Sequence, residues 1–484
     1  MNTITHMKNY IYYIVIALLI YFTIFLHLGN NTLRPWDESR TAANAIEMSF
    51  TSNYLYRTFE YKPENWETKP PLLIWLQVIC LKTIGYNELA IRVPSALAGT
   101  FLLIFMVYYL NKKFKSKWYG LVFILLMLSS NGFLNIHNVR TGDHDSLLVM
   151  FEIFMLISFY EFIHHEKDRY LIFTFLFFTG AYFTKSVAVF PLLPAMFIYI
   201  IIEKKVHLLF KNKAFYIGIL ILIITISLYY FLVENHVPGY IHRALYEDLF
   251  CRYNKVSSAY YKGMYLQLLI SDYFEWIYLF PFMFILFITS YKKQYDIITY
   301  FSLALFFIWI SLPKGTPNNW YLAPIIPLVC VSITIIGCQY LIDYLAKYKY
   351  TNQILIGSSI ILSIFVLPIK NNIVRNLSDD RSKNSYQYGY IIKQLKSTQP
   401  NIKNISMIDN ESTHTSNYVY QEIYNKLYNY KIKREYGLDF ITNNSDTVVT
   451  HLDFVKNEIE NSNKYQFQKL LESRGCSIYS VKRK

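Results

Sequence analysis

The sequence predicts an α-helical polytopic membrane protein of about eleven membrane-spanning helices, with interfacial helices in its first outer loop and a small C-terminal α/β soluble domain. Three observations carry this prediction. Of the 484 residues, 54% are hydrophobic and 18% aromatic. Apolar stretches of about 17–23 residues, each able to cross a hydrocarbon core of about 30 Å, recur from Tyr10 to Ile369. The basic residues gather in alternate short loops between those stretches.

The spans are expected at about 10–29, 90–110, 118–136, 145–164, 170–184, 187–202, 214–234, 273–290, 296–312, 320–343 and 353–369. Tyr10–Leu28 follows Lys8 as a signal sequence would, but it lacks a small-residue cleavage site and reads as a retained first helix. Loops 111–117, 164–169, 203–213, 291–295 and 344–352 hold Lys112, Lys113, Lys204, Lys205, Lys211, Lys292 and Lys347, among others. By the positive-inside rule these face the cytoplasm, with the amino terminus. The large loops 30–89 and 235–272 and the tail then lie outside. The same distribution accounts for the net charge of +14 without a nucleic-acid partner. Two domains follow: a membrane domain over 1–370 and an extracytoplasmic α/β domain over 371–484.

Within the first outer loop, Ser39–Phe50 suits a short helix with Ala42, Ala43 and Ile46 on one side. Leu72–Ile84 is apolar but, at about 13 residues, too short to span. Both fit helices lying in the membrane interface, where Trp36, Trp66 and Trp75 would sit at headgroup depth. In the tail, Ile405–Asp409 and Thr447–Thr450 read as strands, and Tyr418–Tyr430 and Tyr465–Ser473 as helices. The five cysteines show no metal spacing and read as packing residues; the eleven histidines form no metal-binding pattern.

The polar chemistry collects on the outer side. Asp37 and Glu38, in the run Trp36–Arg40, directly follow the first span, where a carboxylate can act as a general base or hold a metal ion. Lys69, before Pro70 and Pro71, is a point charge suited to phosphate, although lysines near helix ends also snorkel. Asp143 and Asp145 lie in the turn Arg140–Asp145, and Asp145 can equally cap the helix it opens. Lys185 sits between two apolar segments almost without a loop, where a charge must reach water or a partner. Lys314, Trp320 and Tyr321 mark another outer turn, and Arg243 and Arg252 the second long loop. Together Arg40, Lys69, Arg140, Lys185, Arg252 and Lys314 could form a cationic pocket for a lipid-linked phosphate. A transporter or lipid flippase is the alternative. Transporter sites, however, lie near the bilayer midplane on broken helices, and these charges collect at one face.

The motifs also carry a resemblance. WDESRTAANAIEM, TKPPLLIWL, NELAIRVPSALAG, RTGDHDSLL with YFTKSVAVFPLLPA, and LPKGTPNNWYLAP follow one another over residues 30–330. In that order they resemble the polyprenyl-phosphate-sugar-dependent membrane glycosyltransferases of the C-type superfamily. That group includes the aminoarabinose transferase that modifies lipid A and the protein O-mannosyltransferases. The resemblance implies a sugar transferase of the bacterial inner membrane, with a polyprenyl-phosphate-linked sugar as donor, an extracytoplasmic acceptor (lipid, glycan or protein) and membrane lipids around it. It implies Asp37 as catalytic base, with Glu38 beside it and Asp145 at the opening of the fourth span. Arg40, Lys69, Lys185, Arg252, Lys314 and Tyr321 are implied on the donor phosphate. The aminoarabinose transferases carry a metal-binding glutamate before the motif lysine; here that position is Thr68. Thr68 weighs against a divalent metal and against lipid A specificity without excluding either, and no other cofactor is implied.

Overall fold

The computed structural model describes residues 2–64, 67–134, 137–247, 258–270, 274–279, 296–313, 318–347, 364–376, 388–408, 414–441 and 446–484. Among these, five helices are long and apolar enough to cross a membrane: Glu88–Phe114, Asp145–His165, Asp168–Val189, Lys213–His236 and Asn319–Gln339. Shorter apolar helices occupy Tyr10–Phe25, Leu72–Ile84, Lys117–Ser129, Leu192–Ile202 and Asp296–Ile310. Most of the expected spans at 273–290 and 353–369 lies outside the described residues.

The chain divides into two compact units. The first comprises Met1–Leu26, Glu64–Leu73 and Pro94–Val374. Its helices are apolar on all sides, as helices in hydrocarbon or in a helix-lined core must be. Burial separates the two cases. The apolar window of Asp145–His165 is 83% buried, whereas that of Lys213–His236 is 11% buried. The latter exposes Ile217, Leu220, Ile221, Ile224 and Leu228. Its 24 residues extend about 36 Å at the α-helical rise, enough to cross a bilayer core. Asn212 caps its start by accepting a bond from the Ala214 amide at 2.8 Å.

The second unit comprises His27–Pro63, Ile74–Val93 and Arg375–Lys484. A short hairpin pairs β1 (Thr58–Phe59) with β2 (Lys62–Pro63). A five-stranded sheet is built from β3 (Asn404–Ile408), β4 (Lys431–Glu435), β5 (Asp446–Thr450), β6 (Tyr465–Ser473) and β7 (Cys476–Arg483), in the order β4-β3-β5-β7-β6. β4 and β5 flank β3 in parallel, and the helix His414–Tyr428 supplies the crossover from β3 to β4. β7 pairs antiparallel with β5 and β6.

Tyr465–Ser473 corrects a sequence expectation: it is a strand and not a helix. Arg474 (φ 49°) and Gly475 (φ 78°) form a two-residue turn that folds it back onto β7. Because β6 is an edge strand, only one of its nine residues is buried, and the period-2 signature of a half-buried strand is missing. The core of this unit joins Ala42, Ile46, Ile74 and Ile91 to Tyr388, Ile391, Val419 and Tyr420.

Candidate active site

The turn bearing Asp37 is built in the second unit. Asp37 and Glu38 open the helix Asp37–Thr51, where the partial positive charge of the helix start favours acids. The preceding Trp36 adopts φ 67°, ψ −113°, a conformation a bulky L-residue holds only when its surroundings impose it. They do so here. The Thr415 hydroxyl accepts a bond from the Trp36 amide at 3.1 Å and bonds the Ser39 hydroxyl at 2.7 Å. The Trp36 carbonyl accepts from the Arg40 amide at 2.7 Å. Thr415 comes from the tail, so a residue far along the sequence shapes this turn. Arg40 stacks its guanidinium over Phe59, 3.6 Å from the ring centroid.

Glu38 is 2% exposed and its carboxylate is fully engaged. Arg92 donates to its Oε1 at 2.6 Å and to its Oε2 at 3.0 Å, and the Arg34 amide donates to Oε2 at 2.8 Å. Arg92 also donates to the carbonyls of Leu28, Asn31 and Thr32. The pair thus clamps the chain entering the turn. Arg92 lies within the quoted motif NELAIRVPSALAG, but nothing local marks it as the partner of Glu38.

The first unit holds a separate cluster. Asp145 opens the helix Asp145–His165 and Lys185 ends the helix Asp168–Lys185, each at the helix end that favours its charge. Lys185 Nζ lies 2.5 Å from Asp145 Oδ1, and the two side chains are 5% and 6% exposed. After Lys185 the chain reverses through Ser186 (φ 49°) into a 3₁₀ turn, Ser186–Val189. The Tyr321 ring centroid is 5.2 Å from Lys185 Nζ. Asp145, Lys185 and Tyr321 line one cavity of about 80 Å³, together with Trp320, Ser311 and Glu152. Glu152, 2% exposed, was not singled out by the sequence reading. Its signal is a lone acid two turns into an apolar span.

Beside this cavity, His137 stacks on Trp320 with ring centroids 3.8 Å apart, and its Nδ1 lies 3.5 Å from Asp143 Oδ1. Burial alone would raise the Asp143 carboxyl. The adjoining His137 and the charge of Lys69 outweigh it and hold Asp143 below its ordinary value. Lys69 Nζ bonds Glu67 Oε2 at 2.9 Å, so an acid one position before Thr68 accompanies the motif lysine. Arg140 is turned to structural work: its guanidinium donates to the carbonyls of Thr23, Ile24 and Leu26 at the end of the first helix. Arg252 and Lys314 lie outside the described residues.

Two further features fall away from these candidates. His164, Glu203 and Asp296 could hold a metal ion, their ligand atoms lying within 4.8 Å of one another; no residue predicted for the site is among them. In the second unit, a cavity of about 250 Å³ is lined by Glu88, Lys393 and Tyr420. Its polar lining is mutually satisfied, since Lys393 bonds both Glu88 oxygens at 2.5 Å and Tyr420 donates to Glu88 at 2.8 Å.

Comparison with known proteins agrees with this architecture. The family model described as dolichyl-phosphate-mannose-protein mannosyltransferase matches residues 68–230. The chain is 28% identical over 250 residues to an uncharacterised protein of Aquifex aeolicus (strain VF5), covering 51% of this chain and 47% of that protein. It is 24% identical over 230 residues to the candidate mannosyltransferase YkcB of Bacillus subtilis (strain 168), covering 47% of this chain and 31% of YkcB. The chain therefore spans less than half the length of the curated relatives it matches. Among solved structures, ArnT from Cupriavidus metallidurans bound to undecaprenyl phosphate has the same fold, with a TM-score of 0.68 and 12% identity over 98% of both chains. The apo oligosaccharyltransferase of Archaeoglobus fulgidus gives a TM-score of 0.50 and 10% identity over 86% of this chain and 64% of the other.

The five helices of spanning length mark a multi-pass membrane protein, similar over residues 68–230 to a mannosyltransferase family and, in fold, to ArnT over 98% of its length.

Proposed function

We propose that this protein transfers a sugar from a polyprenyl-phosphate donor to an acceptor on the outer side of the bacterial inner membrane, with the amino terminus in the cytoplasm and the tail outside. The supporting observation is the Asp145–Lys185–Tyr321 cluster. A lysine ammonium 5% exposed at the end of a membrane-spanning helix is costly unless it serves a partner, and this one is held in place at the wall of a cavity. Undecaprenyl phosphate bound to ArnT, whose fold this chain shares, is a ligand of the proposed class.

In this reading the acceptor nucleophile attacks the anomeric carbon and the bond from that carbon to the phosphate oxygen breaks. Polyprenyl phosphate departs with the bonding electrons. Asp37 takes the nucleophile's proton. Lys69 and Lys185, with Arg40, Arg252, Lys314 and Tyr321, bind the donor phosphate and stabilise the charge that develops on it. Displacement in one step inverts the anomeric centre, since no second carboxylate is needed as a covalent nucleophile. Glu38, engaged by Arg92, acts by holding the Asp37 turn and not by moving a proton.

The experiment is transfer of radiolabelled sugar from undecaprenyl-phosphate sugars to envelope lipids and glycans by the purified protein. Asp37→Asn should lower turnover by about 10²–10⁴-fold with donor binding retained. Wild-type turnover in that variant would remove Asp37 from the mechanism. Movement of lipid across sealed vesicles without any sugar transfer would favour the flippase alternative.

A further inference from the structure

Glu152 is 2% exposed, and among the described residues its Oε2 has no hydrogen-bond partner. Asp145, by contrast, accepts from Lys185. Glu152 follows Asp145 by seven positions, two helical turns or about 10 Å along one face of the same helix. Leu148 lies between them on that face, and all three line the 80 Å³ cavity. The charges acting on Glu152 are those of Lys185, which attracts it, and Asp145, which repels it. A carboxyl with an unmade hydrogen bond inside an apolar span is strongly disfavoured, and such a group marks a place where something polar binds.

The cavity narrows the class of ligand. At about 10–15 Å³ for each water-sized group, it takes on the order of six such groups. That suits the substituted edge of a single sugar ring. The lining combines the aromatic residues Trp320 and Tyr321 with the polar groups of Asp145, Glu152 and Lys185. Aromatic surface for the C–H face of a sugar, together with polar groups for its hydroxyls, is complementary to a polyol.

We propose that Glu152 binds the hydroxyl-bearing edge of the donor sugar, so that this cavity is the sugar subsite adjoining the Lys185 phosphate contact. The proposal rests on the donor reading above and adds to it the residue that senses whether the lipid phosphate carries a sugar.

The test is equilibrium binding to the full-length protein in detergent. The ligands are undecaprenyl phosphate and a panel of its monoglycosyl esters carrying a hexose, an N-acetylhexosamine or an aminopentose. The wild type should bind at least one ester about 10- to 100-fold more tightly than the bare lipid phosphate, the range of a charge-assisted hydrogen bond. Glu152→Ala should abolish that difference while leaving the affinity for undecaprenyl phosphate within about twofold, a margin well below one charged hydrogen bond. The isosteric Glu152→Gln, which keeps the volume and an acceptor oxygen, should retain part of it. A preference for the ester undiminished in both variants would overturn the proposal. Equal wild-type affinity for the ester panel and the bare phosphate would overturn it too, with the lipid-phosphate reading intact. A wild type that binds neither would overturn that reading as well.

Discussion

Arg92 and Glu38 are 4% and 2% exposed, and their bonds join residues 54 positions apart in sequence. Removing one partner of a buried, fully bonded pair leaves an uncompensated charge. Arg92→Leu should therefore destabilise the protein by about 3–5 kcal/mol, measured by denaturant unfolding in detergent. A loss below about 1 kcal/mol, the level of an exposed pair, would show that the clamp contributes little. Glu47 offers a pH test in the same unit. It is buried, and it accepts bonds from the Tyr418 hydroxyl and the Tyr61 amide. Burial outweighs those bonds and raises its carboxyl above the ordinary 4.5. The sign follows from linkage. A raised folded-state value favours the protonated form, so the contribution is fully present below pH 4.5 and is lost as pH rises through the raised value. Glu47→Gln, neutral at every pH, should flatten that limb of the stability profile. An unchanged slope in this variant would assign the pH dependence to other groups.

At the level of whole elements, close approach decides where helices can pass. A Cβ built on Gly99 would lie 2.2 Å from Val139 Cγ1 and 3.3 Å from the Phe133 ring. Val139 directly precedes Arg140, whose guanidinium ties down the end of the first helix. Gly99→Ala should cost about 1–3 kcal/mol by overpacking, read as a lower unfolding midpoint. The same substitution at Gly263, where a Cβ would meet nothing within 4 Å among the described residues, should be nearly silent on packing grounds. A silent Gly99→Ala would mean that this contact relaxes freely. The helices were legible in the sequence because a long apolar run needs only length and composition to declare itself. Strand β6 was not, because neither face of this edge strand is buried regularly enough to impose the alternation of a half-buried strand.

For the molecule as a whole, the basic loops set a directional expectation. Loop 203–213 carries Lys204, Lys205, Lys211 and Lys213, while Tyr436 in the tail is 70% exposed. With the native cysteines replaced, a cysteine at position 436 should react with a membrane-impermeant maleimide added to intact spheroplasts. A cysteine at position 204 should react only after the membrane is opened. The reverse pattern would invert the proposed orientation and place the tail in the cytoplasm. The lipid-facing helix Lys213–His236, only 11% of whose apolar window is buried, needs a hydrocarbon surround in either orientation.

By itself the sequence determined the membrane class, the five helices of spanning length and the chemical types offered at the candidate site: Asp37 after the first helix, Lys69 before a proline pair, Asp145 and Lys185 at the ends of apolar runs. Hydropathy, proline and charge act over a few neighbouring residues, so short windows suffice to read them. Only the tertiary structure decided that Glu38 is clamped by Arg92, that Thr415 holds the strained Trp36 turn, and that Asp145 meets Lys185 40 positions away. It also left Glu152, within an apolar span, with a buried oxygen that has no hydrogen bond among the described residues. Those outcomes depend on which distant groups a fold brings within about 3 Å, the reach of a hydrogen bond, and local composition does not encode that distance.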